Sequence, residues 1–538
     1  LRHLDETKLS PEAKEELTNL LKRIDAESNE LDDAYRRRTE FAPLIAFTHA
    51  IAELEESRRK LKPFDPIQLA ARLSDLRIQI DRAREKTAKD FDKGETSAGV
   101  FVTKVRAERS IEAIAASRAI LKNWHAFYAG YDPMFTWWTT APVKEVDVAL
   151  EKFAAFLKDK LATRSTEAKD SNPVVIAPRP VANVATDASD LQSLVAKPSE
   201  LAGVIQRYLA DLGGFGRGPG SGGDPAERRE RQIKLCESWL EALAKIDFEK
   251  LSKTGKVDYL LLRNNLERDR VRFASRTEST RPRKAKDDNE IVGRPIGQEA
   301  LLAALKGEMI AYTPEQLVEL ANREYAWCEA EMKKAAREMG FGDEWKKALE
   351  KVKTLHVSPG GQQKVVRDLA IEAVEYLRKH GLVTIPPLAE ESWRMDMMSP
   401  ERQKFSPFFT GGEVISVAFP TDTMSHDAKL QSLRGNNVHF SRATVHHELI
   451  PGHHLQQFMV SRHQTQRGPF STPFWTEGWA VYWEMVLYDK GFPKTPEDRV
   501  GLMFWRMHRC ARIIFSLGFH LGKMTAQECI DFLVEKVG

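Results

Sequence analysis

Within residues 441–457, SRATVHHELIPGHHLQQ, four histidines (His446, His447, His453 and His454) crowd around one glutamate, Glu448. Neutral imidazoles hold a divalent ion, and a nearby carboxylate that is not itself a ligand can take a proton from water activated beside it. The chemistry this run points to is metal-assisted hydrolysis. Its spacing is not that of two histidines one turn apart, because the residue four on from His447 is Pro451. On an unbroken helix His447 and His453 would stand about 9 Å apart along the axis and about 120° apart around it, too far to share an ion. If both are ligands, the helix must break between them. Pro451 lacks the N–H that would bond back to His447 and clashes with that turn, and Gly452 tolerates backbone angles that other residues do not.

A second acidic group follows. Residues 474–488, FWTEGWAVYWEMVLY, have the pattern of an amphipathic helix with Thr476 near its start, and Glu477, Glu484 and Tyr488 fall on one face. Glu477 would complete a set of two imidazoles and one carboxylate, donors that suit Zn2+, with a fourth position open to water. In this reading His447, Glu477 and one of His453 and His454 bind the ion, and Glu448 is the base that passes its proton to the leaving amine. His446, Glu484 and the remaining histidine would fix ligand orientation. Tyr488 or Tyr482 would donate to the tetrahedral intermediate. A later apolar helix, about 497–520, carries Arg509, Arg512, Ser516 and His520 in a stripe about 80° wide. These four either bond to facing carboxylates, or His520 stabilises an oxyanion while Arg509 or Arg512 receives a substrate carboxylate.

HELIPGHHLQ followed by TEGWAVYWE resembles the bacterial family called domain of unknown function 885, which is grouped with the thermolysin-type zinc metallopeptidases. The similarity is strongest after Ile291, in EYAWCEAEM, GFGDEWKKALEKVK and RCARIIFSLGFHLGKMTAQECIDFLVEKVG. It implies a mostly α, metallopeptidase-like fold with a small β element beside the metal, and a carboxypeptidase-type activity on peptides. It also favours His453 over His454 as ligand and the cell envelope or periplasm over the cytoplasm. Residues 413–419, a short β-prone run bounded by glycines and a proline, are the candidate strand that would pair with an extended substrate. The same water chemistry would serve a zinc amidohydrolase or esterase with a non-peptide substrate. A non-catalytic helical binding protein, its histidines structural, is the third reading.

The elements that must position these groups are helices. Residues 1–165 read as a helical scaffold, opening with Ser10 as N-cap and Pro11 at the first position, and interrupted by seven aromatics between Trp124 and Trp138. That aromatic run is either a packed corner or a wall of the substrate cleft. A linker is expected over 166–195, then a second helical subdomain over 196–290 with a glycine-rich loop from Gly213 to Pro225 and a charged loop over 276–290. The metal-binding subdomain would span 291–538. It contains a helix capped by Thr313, Pro314 and Gln316 and closed at Gly340, and a capped helix ending at Gly381. Lysines and arginines number 81 against 78 acidic residues, a balance that gives no case for nucleic acid. No apolar run approaches the roughly 18 residues of a transmembrane helix. Cys236, Cys328, Cys510 and Cys529 lack paired spacing and read as buried hydrophobes.

Overall fold

The computed structural model describes residues 6–93, 104–163, 199–217, 225–275, 293–404 and 406–538. The expected linker over 166–195 and the charged loop over 276–290 lie outside them. The fold is mostly helical, as the periodicity predicts, with one two-stranded sheet among the described residues.

A first group comprises α1 (Pro11–Phe41), α2 (Thr48–Arg59), α3 (Pro66–Lys93), α4 (Lys104–Ala129) and α5 (Pro133–Thr163). Ser10 caps α1 by accepting from the Ala13 N–H. The aromatic run is the packed corner between α4 and α5. Trp124, Tyr128 and Phe135 are buried there with rings 4.9–6.0 Å apart, and Tyr131 Oη donates to Gln363 at 2.9 Å. Phe419, far along the chain, joins this core.

The second group is α6 (Ala202–Arg217), α7 (Pro225–Leu243) and α8 (Lys253–Ser275), whose core includes Phe470. The expected glycine-rich loop begins later than its composition suggests. Gly213 and Gly214 continue α6, because a glycine within a helix costs only about 1 kcal/mol relative to alanine and packing upstream absorbs it.

The remainder holds α9 (Gln298–Gly307), α10 (Pro314–Glu338), α11 (Trp345–Lys353), α12 (Gln362–Lys379), α13 (Pro387–Ser392), β1 (Arg394–Met397), α14 (Pro400–Gln403) and β2 (Val414–Val417). It continues through α15 (His426–Gly435), α16 (Val438–Glu448), α17 (His453–Arg462), α18 (Pro473–Asp489), α19 (Pro496–His520) and α20 (Ala526–Val537). Thr313 and Gln316 form the capping box of α10, and Gly340 turns the chain at φ +85° after it. Gly381 likewise follows α12, but the N-terminus of that helix is Gly361 with no side-chain cap. The four cysteines are buried and free. Buried residues of α10, α11, α16 and α19 form one core, those of α12, β1, β2 and α16 another. Helix α16, which carries His447, is therefore packed on two sides.

β2 lies where the strand was expected and pairs in parallel with β1. Its outer edge is partly closed, because the chain turns at Gly411 and Gly412 and Thr410 exchanges both backbone hydrogen bonds with Ser416, at 2.7 and 3.1 Å. An extended substrate has no free edge at Ser416.

Candidate metal centre

Helix α16 begins at Asn437, whose side chain accepts from the N–H groups of His439 and Phe440, and ends at Glu448. The expected break follows at once. Residues 449–452 leave the helix, the Ile450–Pro451 bond is cis, and α17 starts at His453. Gly452 is required for a reason other than unusual angles: at φ −75° a Cβ built on it would sit 1.6 Å from the carbonyl oxygen of His447. Only a residue without a side chain lets the chain fold back this tightly. Trp479 Nε1 on α18 donates to the Pro451 carbonyl at 2.8 Å, tying the break to the next helix.

The fold-back sets the rings of His447 and His453 edge-on, with centroids 4.7 Å apart. Donor atoms of His447, Glu448 and His453 all lie within 4.8 Å of one another. From the first turns of α18, Glu477 brings one oxygen to 3.4 Å from His447 Nε2 and the other to 3.6 Å from His453 Nε2. These separations are long for N–H···O hydrogen bonds, which cluster at about 2.9–3.0 Å. They are close to the edge of a tetrahedron whose centre lies about 2.0–2.1 Å from each donor, about 3.3 Å. Each imidazole faces a different oxygen of Glu477, and two imidazoles with a carboxylate are donors of the kind a divalent ion such as zinc takes.

Helix α18 starts from Thr472, which accepts from the Trp475 N–H with Pro473 at the first position, one turn earlier than Thr476 suggests. Two turns beyond Glu477, buried Glu484 accepts from His447 Nδ1 at 2.6 Å and from Arg509 Nη2 of α19 at 2.7 Å. That bond presents Nε2 of His447 to the cluster. Burial alone would lower the pKa of His447, but Glu477 and Glu484 on either side raise it to about 9. The two imidazoles hold the Glu477 carboxyl well below the usual carboxylate range, while burial pushes Glu448 up against the pull of the histidines. A base with a raised pKa is suited to holding a proton in transit. Sequence reasoning missed its partner: the Gly411 N–H bonds to the Glu448 carboxylate, and a Cβ on Gly411 would lie 2.6 Å from Glu448 Oε2. The paired glycines were the visible signal.

The remaining expected residues divide. His454 turns away, its Nε2 donating to the Ala389 carbonyl at 2.6 Å. His446 is fully buried, its ring against Phe492, with neither nitrogen hydrogen-bonded among the described residues, and burial lowers its pKa to about 4. Arg509 pairs with Glu484 through Nη2, and its buried Nη1 has no hydrogen-bond partner among the described residues. Arg512, three residues further on, is exposed. Tyr482 is also exposed. Tyr488 donates to Glu331 at 3.1 Å, some 16 Å along α18 from Glu477. His520 lies at the end of α19, where its carbonyl accepts from the Gly297 N–H at 3.1 Å. Neither Tyr488 nor His520 hydrogen-bonds to the cluster; eleven residues of helix rise separate each from the residues that do.

A search of curated proteins found no match. Among solved structures, the chain is similar to one described as "a putative lipoprotein of unknown function from Shewanella oneidensis", at 15% identity and TM-score 0.39, covering 88% of this chain and 87% of that one. Another, described as "the putative lipoprotein from Colwellia psychrerythraea", has 15% identity and TM-score 0.38 with the same coverage. The break in α16, the two histidines and Glu477 all fall within residues 271–538, which match the family described as "Bacterial protein of unknown function (DUF885)".

Proposed function

We propose that the protein is a zinc-dependent hydrolase that cleaves peptide bonds of short peptides. The observation that carries this reading is the gathering of donor atoms of His447, Glu448 and His453 within 4.8 Å of one another, with Glu477 facing both imidazoles. His447, His453 and Glu477 would hold Zn2+, which supplies Lewis acidity toward a carbonyl and a water molecule of lowered pKa. Glu448, in the same cluster and steadied by the Gly411 N–H, takes the proton from the attacking water and delivers it to the departing amine. Glu484, anchored by Arg509, fixes the ring of His447. Exposed Arg512, or Arg509 through its unpaired Nη1, would receive the carboxylate of a free C-terminus.

Elemental mass spectrometry of the purified, zinc-supplied protein tests the assignment. About one zinc per chain is expected, lost in His447→Ala and kept in Glu448→Gln, with peptide hydrolysis abolished in both. Metal-free wild type after zinc supply would sink it.

A further inference from the structure

Beside the cluster lies a cavity of about 1130 Å³, walled by α8, α17, the 463–472 segment and the start of α18. Its apolar lining comes from Leu261, Met309, Met459, Val460, Phe470 and Trp475. Met309 and Trp475 on its wall are 53% and 55% exposed to solvent. The lining contains no lysine and no carboxylate among the described residues, and its one guanidinium, Arg467, is bound to Asp258 Oδ1 at 2.6 Å. The other titratable group on the wall is the His463 imidazole, and a carboxylate or ammonium entering would lose its hydration with no lysine, carboxylate or unpaired guanidinium to meet it.

The cavity adjoins the cluster through its own walls. Gln456 and Gln457 follow His453 by one helical turn on the same face of α17, and Thr476 precedes Glu477. Gln456 Nε2 donates to the Trp475 carbonyl at 3.3 Å, closing the floor between the two helix starts. Gln457 reaches Gly412, beside the Gly411 that steadies Glu448. A peptide held with its scissile bond at Glu448 would therefore place a neighbouring side chain in this space.

We infer that the cavity is the specificity pocket of the site and takes a large apolar or aromatic side chain next to the scissile bond. The inference rests on the hydrolase reading and names its substrate class. Val460, half-buried on the wall, is the position at which to change the pocket.

The test is cleavage of synthetic pentapeptides, each position varied over Phe, Leu, Ala, Asp and Lys, by the zinc-supplied full chain. Wild type should favour Phe or Leu over Asp or Lys at one position by at least about tenfold in kcat/KM. In Val460→Trp the Phe-to-Ala ratio should fall about tenfold, and in Val460→Ala preference should move toward the larger ring. Absence of side-chain preference, or an equal loss on all peptides in both variants, overturns the pocket. If wild type cleaves no peptide, the hydrolase reading fails and the cavity is judged by binding. Saturation-transfer NMR with N-acetyl-phenylalanine amide should then show contact that N-acetyl-aspartate amide lacks and that Val460→Trp removes; contact absent or equal for the two amides overturns it.

Discussion

His447 sits between two carboxylates with opposite tasks, Glu477 on the side of the cluster and Glu484 behind the ring. Replacing Glu484 by Gln keeps an acceptor for Nδ1 but removes the charge that Arg509 neutralises. Zinc affinity, measured by competition with a chromophoric chelator, should fall about 10–100-fold while the far-ultraviolet spectrum stays the same. Gly411→Ala tests the other side. The added methyl would meet Glu448 Cβ at 2.3 Å, so the base must shift, and hydrolysis should drop about 100-fold with zinc retained. Retained activity would show that Glu448 does not depend on this contact. That His447, His453 and Glu477 come together was legible in sequence, because their types and the Pro451-Gly452 break between the histidines restrict how the run can fold. Arg509 was not, since helical periodicity puts it on a polar stripe without saying that Glu484 faces it. Tyr488 and His520 share a face with site residues, but among the described residues Tyr488 bonds to Glu331 and the His520 carbonyl to Gly297, since sharing a face does not shorten the distance along the axis.

Helix ends, rather than helix faces, set this geometry. Thr472 holds the first turn of α18, and Glu477 lies just inside it. Thr472→Ala should lower stability by about 1 kcal/mol in denaturant unfolding and weaken zinc binding severalfold, because the turn bearing the carboxylate frays. The Thr-Pro pair at 472–473 announces this cap as clearly as Ser10-Pro11 does for α1. The reason for Gly452 could not be read that way, since the carbonyl it must clear is met only once the chain has folded back. Buried charges join the same helices. Asp498 of α19 accepts from His439 Nδ1 at 2.8 Å and pairs with Arg442 Nε of α16 at 3.1 Å. Burial alone would raise its pKa, yet these partners hold it at about 2, below its unfolded value of about 3.9. Its contribution, about 2 kcal/mol, is complete above the unfolded pKa and is lost as pH falls through 2. Asp498→Asn should flatten that acid limb in urea unfolding followed from pH 5 to 2; an unchanged slope would assign the limb to other carboxylates.

Across the whole molecule, two ties join distant parts of the chain to the half that bears the cluster. Tyr131 and Phe419 link the α4–α5 corner to the C-terminal half. Asp258, fully buried on α8, receives Arg467 Nε at 2.6 Å and Gln466 Nε2 at 2.9 Å. Asp258→Ala removes the main acceptor of a partly exposed guanidinium and should cost about 1–3 kcal/mol, with limited proteolysis first releasing the α6–α8 group. Composition gave no case for a nucleic-acid surface and could not foresee this pairing, since two opposite charges in a chain so evenly balanced give no hint of each other. Among the described residues no helix is long and apolar enough to cross a membrane. The sequence distance between Asp258 and its partner, 209 residues, also bears on the order of events during synthesis. When α8 leaves the ribosome Arg467 does not yet exist, so the carboxylate must stay hydrated and the second helical group cannot dock fully until the segment beyond α17 arrives. In full-length refolding, Asp258→Ala reports when this contact forms: faster unfolding with an unchanged folding rate places it after the transition state, and slower folding places it in the nucleus.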